Sequence, residues 1–290
     1  MTNVLKTLGL GLSYLSLATA LTLSSNCAST FRSPYSLEQR VERTDGIKNK
    51  REKYAVLIGG KTEARHVRNL ERAYLTLRYL GFNKDKIFVL DDSKKKSSVY
   101  PRYRIANKKN IKKTLRGLSE KVDYNDLFLL YTTDHGEEDK FIVKNKQTGR
   151  VRKEEVSSLL LYSGEKLHSF ELCSYMKDLH PGVKVLISDQ CYSGEFAERI
   201  VGKRFANLAP NVPGKPTSGS IWSSPFWEAY FQNKGDLDSN GKVDLLEAFI
   251  YAKEHDPLSS HGVYDSRTGK LIFHKPILKS DLDPSKIFLN

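Results

Sequence analysis

Leu127-Phe128-Leu129-Leu130-Tyr131-Thr132-Thr133-Asp134-His135-Gly136 runs from five continuous apolar residues into a cluster of polar ones. A short apolar run bounded in this way reads as a strand buried on both faces, and such strands belong to parallel sheets. Active sites of open parallel sheets gather beyond the carboxyl ends of their strands. His135 stands where that chemistry is expected. Further along, Val183-Lys184-Val185-Leu186-Ile187-Ser188 predicts another buried strand and leads into Asp189-Gln190-Cys191-Tyr192-Ser193-Gly194. If the two strands are neighbours, His135 and Cys191 emerge at one rim as a thiol nucleophile beside a general acid–base.

Working outward, Tyr54-Ala55-Val56-Leu57-Ile58-Gly59-Gly60 and Ile87-Phe88-Val89-Leu90 predict two more strands. Between them, residues 64–80 place Leu70, Ala73, Tyr74, Leu77 and Leu80 at helical spacing. Residues 107–121 predict a second helix, the stretch around Gly149 a hairpin, and residues 169–179 a helix with Ser169 as its N-cap. Leu271-Ile272-Phe273 predicts a strand near the C-terminus. Strands alternating with helices imply an α/β three-layer sandwich, a mostly parallel sheet with helices on both faces.

The motifs carry a resemblance. Asp134-His135-Gly136 after an apolar strand resembles the His motif of legumain-type (C13) cysteine peptidases. Asp189-x-Cys191-x-Ser193-Gly194 is similar to the Cys motif of legumains and metacaspases, and Arg65-His66 resembles the legumain Arg-His pair. The similarity runs from about residue 53 to about residue 255, and the His-to-Cys spacing is close to the roughly 50 residues of caspases. It implies a caspase-like fold and a cysteine endopeptidase working through a thioacyl-enzyme. In that reading Cys191 attacks the scissile carbonyl, and His135 promotes thiolate formation and protonates the leaving amine. The amides of Gly136 and Cys191 form the oxyanion hole. No third triad residue and no cofactor for the chemical step are implied. Asp189 and Arg65 would line the P1 pocket, with Asn/Asp and Arg/Lys both open as P1 residues. The legumain pocket's second acid falls near Ser218-Gly219-Ser220, where this chain has none. A transamidase or peptide ligase with the same dyad is the alternative enzyme.

Asp236-Leu237-Asp238-Ser239-Asn240-Gly241-Lys242-Val243-Asp244-Leu245-Leu246-Glu247 fits the EF-hand calcium loop. Asp236, Asp238 and Asn240 would offer side-chain oxygens, Lys242 its carbonyl, Asp244 a contact often made through water, and Glu247 a bidentate carboxylate. Gly241 makes the sharp turn. Residues 223–233 and 246–254 predict the flanking helices. A single loop points to a structural Ca2+ rather than a sensor. A non-catalytic calcium-binding lipoprotein is therefore the reading from outside enzymology, and intact His135 and Cys191 argue against it.

Lys6 followed by the apolar stretch Leu8 to Leu23 predicts an export signal over residues 1–27. Cys27, just past that stretch, is the candidate lipidation site, with Ala18-Thr19-Ala20 a competing cleavage site. The expected location is outside the cytoplasm, as a membrane-anchored lipoprotein or a periplasmic or extracellular protein. Residues 28–52 are polar, with Pro34 and Gly46, and read as a tether. Residues 53–290 then form one peptidase domain that includes the loop at 236–247. The chain of 290 residues carries 28% charged residues and a net charge of +13. Its basic clusters lack the interleaved aromatics of a nucleic-acid platform, so no nucleic-acid partner is expected, while the resemblance implies a protein or peptide substrate. Three cysteines are too few for a disulfide scaffold, and Cys173, in an amphipathic helical pattern, reads as a core residue.

Overall fold

The computed structural model describes residues 51–60, 63–91, 97–144, 149–161, 164–217, 222–265 and 269–290. The expected signal, Cys27, nearly all of the tether and Ser218-Gly219-Ser220 lie outside these residues.

Strand β1 (Lys53–Gly59) leads through helix α1 (Ala64–Tyr79) to β2 (Ile87–Leu90) and the short β3 (Arg102–Arg104). Helix α2 (Lys108–Ser119), capped by the Asn107 side chain on the Asn110 amide, returns the chain to β4 (Leu127–Thr133). An antiparallel sheet of β5 (Gly136–Lys144), β6 (Val151–Leu160) and β7 (Lys166–His168) follows. Then come α3 (Ser169–Met176), β8 (Val183–Asp189), α4 (Gly194–Arg199) and β9 (Phe205–Ala209). The C-terminal part holds α5 (Ser223–Ala229), α6 (Leu245–His255), α7 (Pro257–Ser260), the pair β10 (Val263–Asp265) and β11 (Lys270–Ile272), and β12 (Ile277–Ser280).

Seven strands form the main sheet in the order β12-β9-β8-β4-β1-β2-β3. All neighbours run parallel except β12, which is antiparallel to β9. Alternate residues divide between two cores. Ala55, Leu57, Leu129, Tyr131, Val185 and Ile187 pack toward α1, α5 and α6. Val56, Ile58, Phe128, Leu130 and Leu186 pack toward α2, α3 and α4. Burial on both faces explains why β1 and β4 read as unbroken apolar runs, each large side chain contributing about 1.5–3 kcal/mol. Because α1 and α2 cover opposite faces, the winding reverses between β1 and β4. A crevice therefore opens at their carboxyl ends. Among the described residues, no helix is long and apolar enough to cross a membrane.

Two sequence expectations are corrected here. The N-cap of α3 is His168, not Ser169. Glu171 closes a capping box with His168, while the Ser169 hydroxyl donates to Glu195 on α4. The serine is drawn inward by that inter-helix bond. Cys173 is buried, 3% exposed, but it is disulfide-bonded rather than the free core thiol that its helical pattern suggested, because a local pattern does not reveal a cross-link.

Candidate active site

The register of the sheet sets the geometry. β4 and β8 pair from Leu127↔Val183 to Thr133↔Asp189. His135 and Cys191 each follow two residues after that last pair, so they leave the sheet at the same rim. β1 pairs with β4 through Gly59↔Thr133, so the segment carrying Glu63 and Arg65 leaves there too.

Close backbone packing holds the rim together. A Cβ on Gly136 would lie 2.0 Å from the Cys191 carbonyl oxygen and 3.1 Å from its nitrogen, so only glycine fits. Tyr192, directly after Cys191, has φ of 59°, a left-handed conformation that costs a non-glycine residue energy. The chain turns sharply there from β8 into α4. Asp134 fastens the end of β4: its buried carboxyl accepts from the His135 amide at 2.6 Å and from the Gly60 amide. Burial pushes that carboxyl up to about 8.

Around His135 the side chains form one cluster. His135 Nε2 lies 2.6 Å from Glu63 Oε1 and 3.4 Å from an Arg65 terminal nitrogen. Arg65 Nε lies 2.9 Å from Glu63 Oε2 and donates to His66 Nε2 at 3.2 Å. The His135 hydrogen bond holds the Glu63 carboxyl below its ordinary value. His66 Nδ1 meets Thr133 Oγ1 at 3.1 Å, and its ring stands edge-on to His135 with centroids 5.4 Å apart. Burial, with help from the Arg65 charge, pushes His66 down to about 3, so it is neutral.

The Cys191 thiol donates to the carbonyl of Thr217. Burial pushes it up, against backbone bonds at Thr217 and Gly136 and the Arg65 charge. The resting group is a thiol, and nucleophilic chemistry needs a base to take its proton.

The two expected pocket residues have different hydrogen-bond partners. Arg65 faces Glu63, His66 and His135. Asp189 is fully buried on the α1 and α5 side, where its Oδ2 accepts from Ser223 Oγ, Tyr131 OH and Asn69 Nδ2. Burial pushes Asp189 up to about 7. Among the described residues Asp189 makes no direct ion pair with Arg65, though the Arg65 charge still acts on its carboxyl.

Sequence reading missed Glu63 and Thr217. Glu63 carried a signal, an acid two residues before the Arg-His pair. It occupies the N-cap position of α1 with extended backbone and makes no capping bond, because its carboxylate reaches His135 instead. Thr217 lies in an irregular segment with no pattern to read.

The loop at 236–247 brings several of its acids together. Carboxylate oxygens of Asp236, Asp238 and Glu247 lie within 4.8 Å of one another. Asp236 accepts from the amides of Asn240 and Gly241, and both Ser239 and Gly241 have left-handed backbone, which curls the loop around its acids. Asp244 caps α6 in a capping box with Glu247. The first flanking helix is shorter than expected, ending at Ala229 before a 3-10 turn at Phe231–Asn233.

No family model matches the chain. No curated protein matches it either. Among solved structures it is similar to caspase-1 from Spodoptera frugiperda, with a TM-score of 0.51 and 14% identity over 80% of this chain and 87% of that one. Identity that low speaks for architecture alone, a mostly parallel sheet flanked by helices. The chain has a caspase-like fold.

Proposed function

We propose that the protein is a cysteine endopeptidase in which Cys191 is the nucleophile and His135 the general acid–base. The observation that carries this reading is the β4–β8 register, which sends both residues out at one rim with Gly136 packed against the Cys191 backbone. The legumain-type motifs support the same assignment from the sequence side.

Glu63 adds what the motifs did not imply. Its carboxylate accepts the Nε2–H of His135, which leaves Nδ1 with the lone pair that takes the Cys191 proton. The thiolate sulfur then bonds to the scissile carbonyl carbon, and the carbonyl oxygen gains negative charge beside the amides of Gly136 and Cys191. As the C–N bond breaks, His135 returns its proton to the leaving amine. Water, deprotonated by His135, cleaves the thioester and restores the thiol. Arg65 stands at the mouth of the site and is the described cation best placed to meet an incoming peptide.

The test is labelling of the folded protein with thiol-directed peptidyl probes carrying Asn, Asp, Arg or Lys at P1. Modification mapped to Cys191, lost in Cys191→Ala and slowed in His135→Ala, is the expected result. Modification spread over other cysteines, or unchanged in His135→Ala, would sink the assignment.

We also propose that the loop from Asp236 to Glu247 holds Ca2+ through Asp236, Asp238, Asn240, the Lys242 carbonyl, Asp244 and Glu247. The all-oxygen donor set and the converging carboxylates fit a hard cation. The ion's contribution there is to stability, by neutralising acids that the loop forces together.

A further inference from the structure

We infer that Glu63, His66 and His135 form a binding site for a divalent transition metal, zinc by its donor chemistry, and that the metal switches the enzyme off by occupying His135. The inhibitory half of this inference rests on the peptidase reading; the binding half does not.

One carboxylate oxygen and two imidazole nitrogens from these residues lie within 4.8 Å of one another. Two histidines and a glutamate with an open fourth position are a recognised zinc set, with bonds of about 2.0–2.2 Å. Such bonds place neighbouring tetrahedral donors roughly 3.3 Å apart. Reaching that spacing requires the Glu63–His135 contact of 2.6 Å to open and the remaining distances to adjust, and Glu63 and His135 have the exposure to move, their side chains being 50% and 36% exposed. Nitrogen donors disfavour Ca2+ and Mg2+, so the site differs in chemistry from the all-oxygen loop at 236–247.

His66 is built as a ligand. Its Nδ1 faces Thr133 Oγ1, which also accepts from Asn69 Nδ2. With Nδ1–H donated to Thr133, the lone pair of His66 lies on Nε2 and points into the cluster. Hydrogen bonding of the second ring nitrogen is the usual means of fixing a metal-binding histidine. This imidazole is buried, 2% exposed, and a polar nitrogen aimed into a cluster of acceptors calls for a cation.

A cation is already there. The Arg65 guanidinium donates to His66, pairs with Glu63 and lies 3.4 Å from His135. All three donors thus converge on the chain's own positive group. Arg65 is the second residue of α1 and its side chain is 35% exposed, so it can swing into solvent and yield its place. A metal bound at His135 Nε2 takes the place of the proton held against Glu63; the neutral ring then carries its proton on Nδ1, which can no longer accept the Cys191 proton.

The experiment uses the full folded domain carrying Cys191→Ala, so that no thiolate at the site contributes. Zn2+ is titrated in competition with a chromophoric chelator, in excess Ca2+ to saturate the loop, and Co2+ is added separately as a spectroscopic probe. Expected are one Zn2+ per chain and four-coordinate Co2+ bands without sulfur charge transfer. His66→Gln and Glu63→Gln should each weaken binding about tenfold or more, and Arg65→Ala should tighten it, while Asp236→Asn should leave it unchanged. Glu63 is exposed, so Glu63→Gln keeps the test valid should His66→Gln fail to fold. Absence of stoichiometric binding, or binding unchanged in Glu63→Gln, overturns the site. With Cys191 intact, Zn2+ inhibition reversed by chelator and weakened in Glu63→Gln relative to that variant's own activity is expected; metal binding without inhibition would overturn the switch and leave the site standing.

Discussion

Glu63 stands at the N-cap of α1 yet caps nothing. An aspartate there would satisfy an amide of the first turn, worth about 1 kcal/mol, and a glutamate in its place gives up that bond. The chain forgoes that bond and sets the carboxylate 2.6 Å from His135. Local preference overridden at a strand-end rim is the mark of a functional residue. Glu63 touches His135 rather than the reacting atoms, so it is a positioning residue, and its loss should fall on turnover. Glu63→Ala should lower kcat by about 10- to 100-fold, within the range for a compromised general base, with KM changed less than kcat. Glu63→Gln, whose amide oxygen can still accept from Nε2–H, should recover part of that loss. Steady-state kinetics on a peptide that the labelling experiment selects would decide it. A KM effect larger than the kcat effect would assign Glu63 to substrate binding instead.

At the scale of elements, the strands that the sequence showed plainly are those buried on both faces. β1, β2, β4 and β8 announce themselves because nothing polar is tolerated in their middles. β9 did not, since Asn207 interrupts Phe205-Ala206-Asn207-Leu208-Ala209. That amide is buried because it satisfies the carbonyls of Ala197 and Ile200 at the end of α4, a long-range bond that no local pattern reveals. β3 and β12 are edge strands of three and four residues, too short and too mixed to read. His135 and Cys191 were legible because each closes a readable strand, whereas the burial of Asp189 depends on α5, whose Ser223 reaches across to it. This last contact has a consequence in pH. Asp189 has a folded-state pKa of about 7, above its ordinary 3.8. Between those values the folded chain keeps a proton that the unfolded chain has released. Stability from the protonated group is therefore full below pH 3.8 and lost as pH rises through about 7. Asp189→Asn offers an oxygen to the same donors and cannot ionise. Its stability relative to the parent should climb across that window by up to about 1.4 kcal/mol per pH unit, then level off. Denaturant titrations of both proteins across the window would show it, and a difference flat in pH would mean that the carboxylate is ionised in the fold.

For the molecule as a whole, the loop at 236–247 closes one of the two cores. It joins α5 to α6, and both helices pack on the face of the sheet that holds Tyr131 and Ile187. EF-hand loops usually lean on a partner loop. Here the described partner is the C-terminal segment: Asp244 bridges Phe288, the Leu245 amide donates to the Ile287 carbonyl, and Ile287 and Leu289 are buried in the same core. The acids of the loop, crowded within 4.8 Å, repel one another, and the proposed cation would relieve that repulsion. Binding to the folded chain alone stabilises it by mass action, about 2.7 kcal/mol at a hundredfold excess over Kd. At this size each kcal/mol moves Tm by about 2–4 °C. Thermal melts should therefore rise by several degrees when Ca2+ replaces chelator, and Mg2+ at equal concentration should do less. Asp236→Asn, which leaves the capping box of α6 intact, should abolish most of the rise. Because α5 begins at Ser223 and Ser223 holds Asp189 two residues before Cys191, the ion's removal should also cost activity in step with the loss of stability. Equal melting with Ca2+ and with chelator would show that the loop is a turn held by its own hydrogen bonds, and that the core it closes needs no ion.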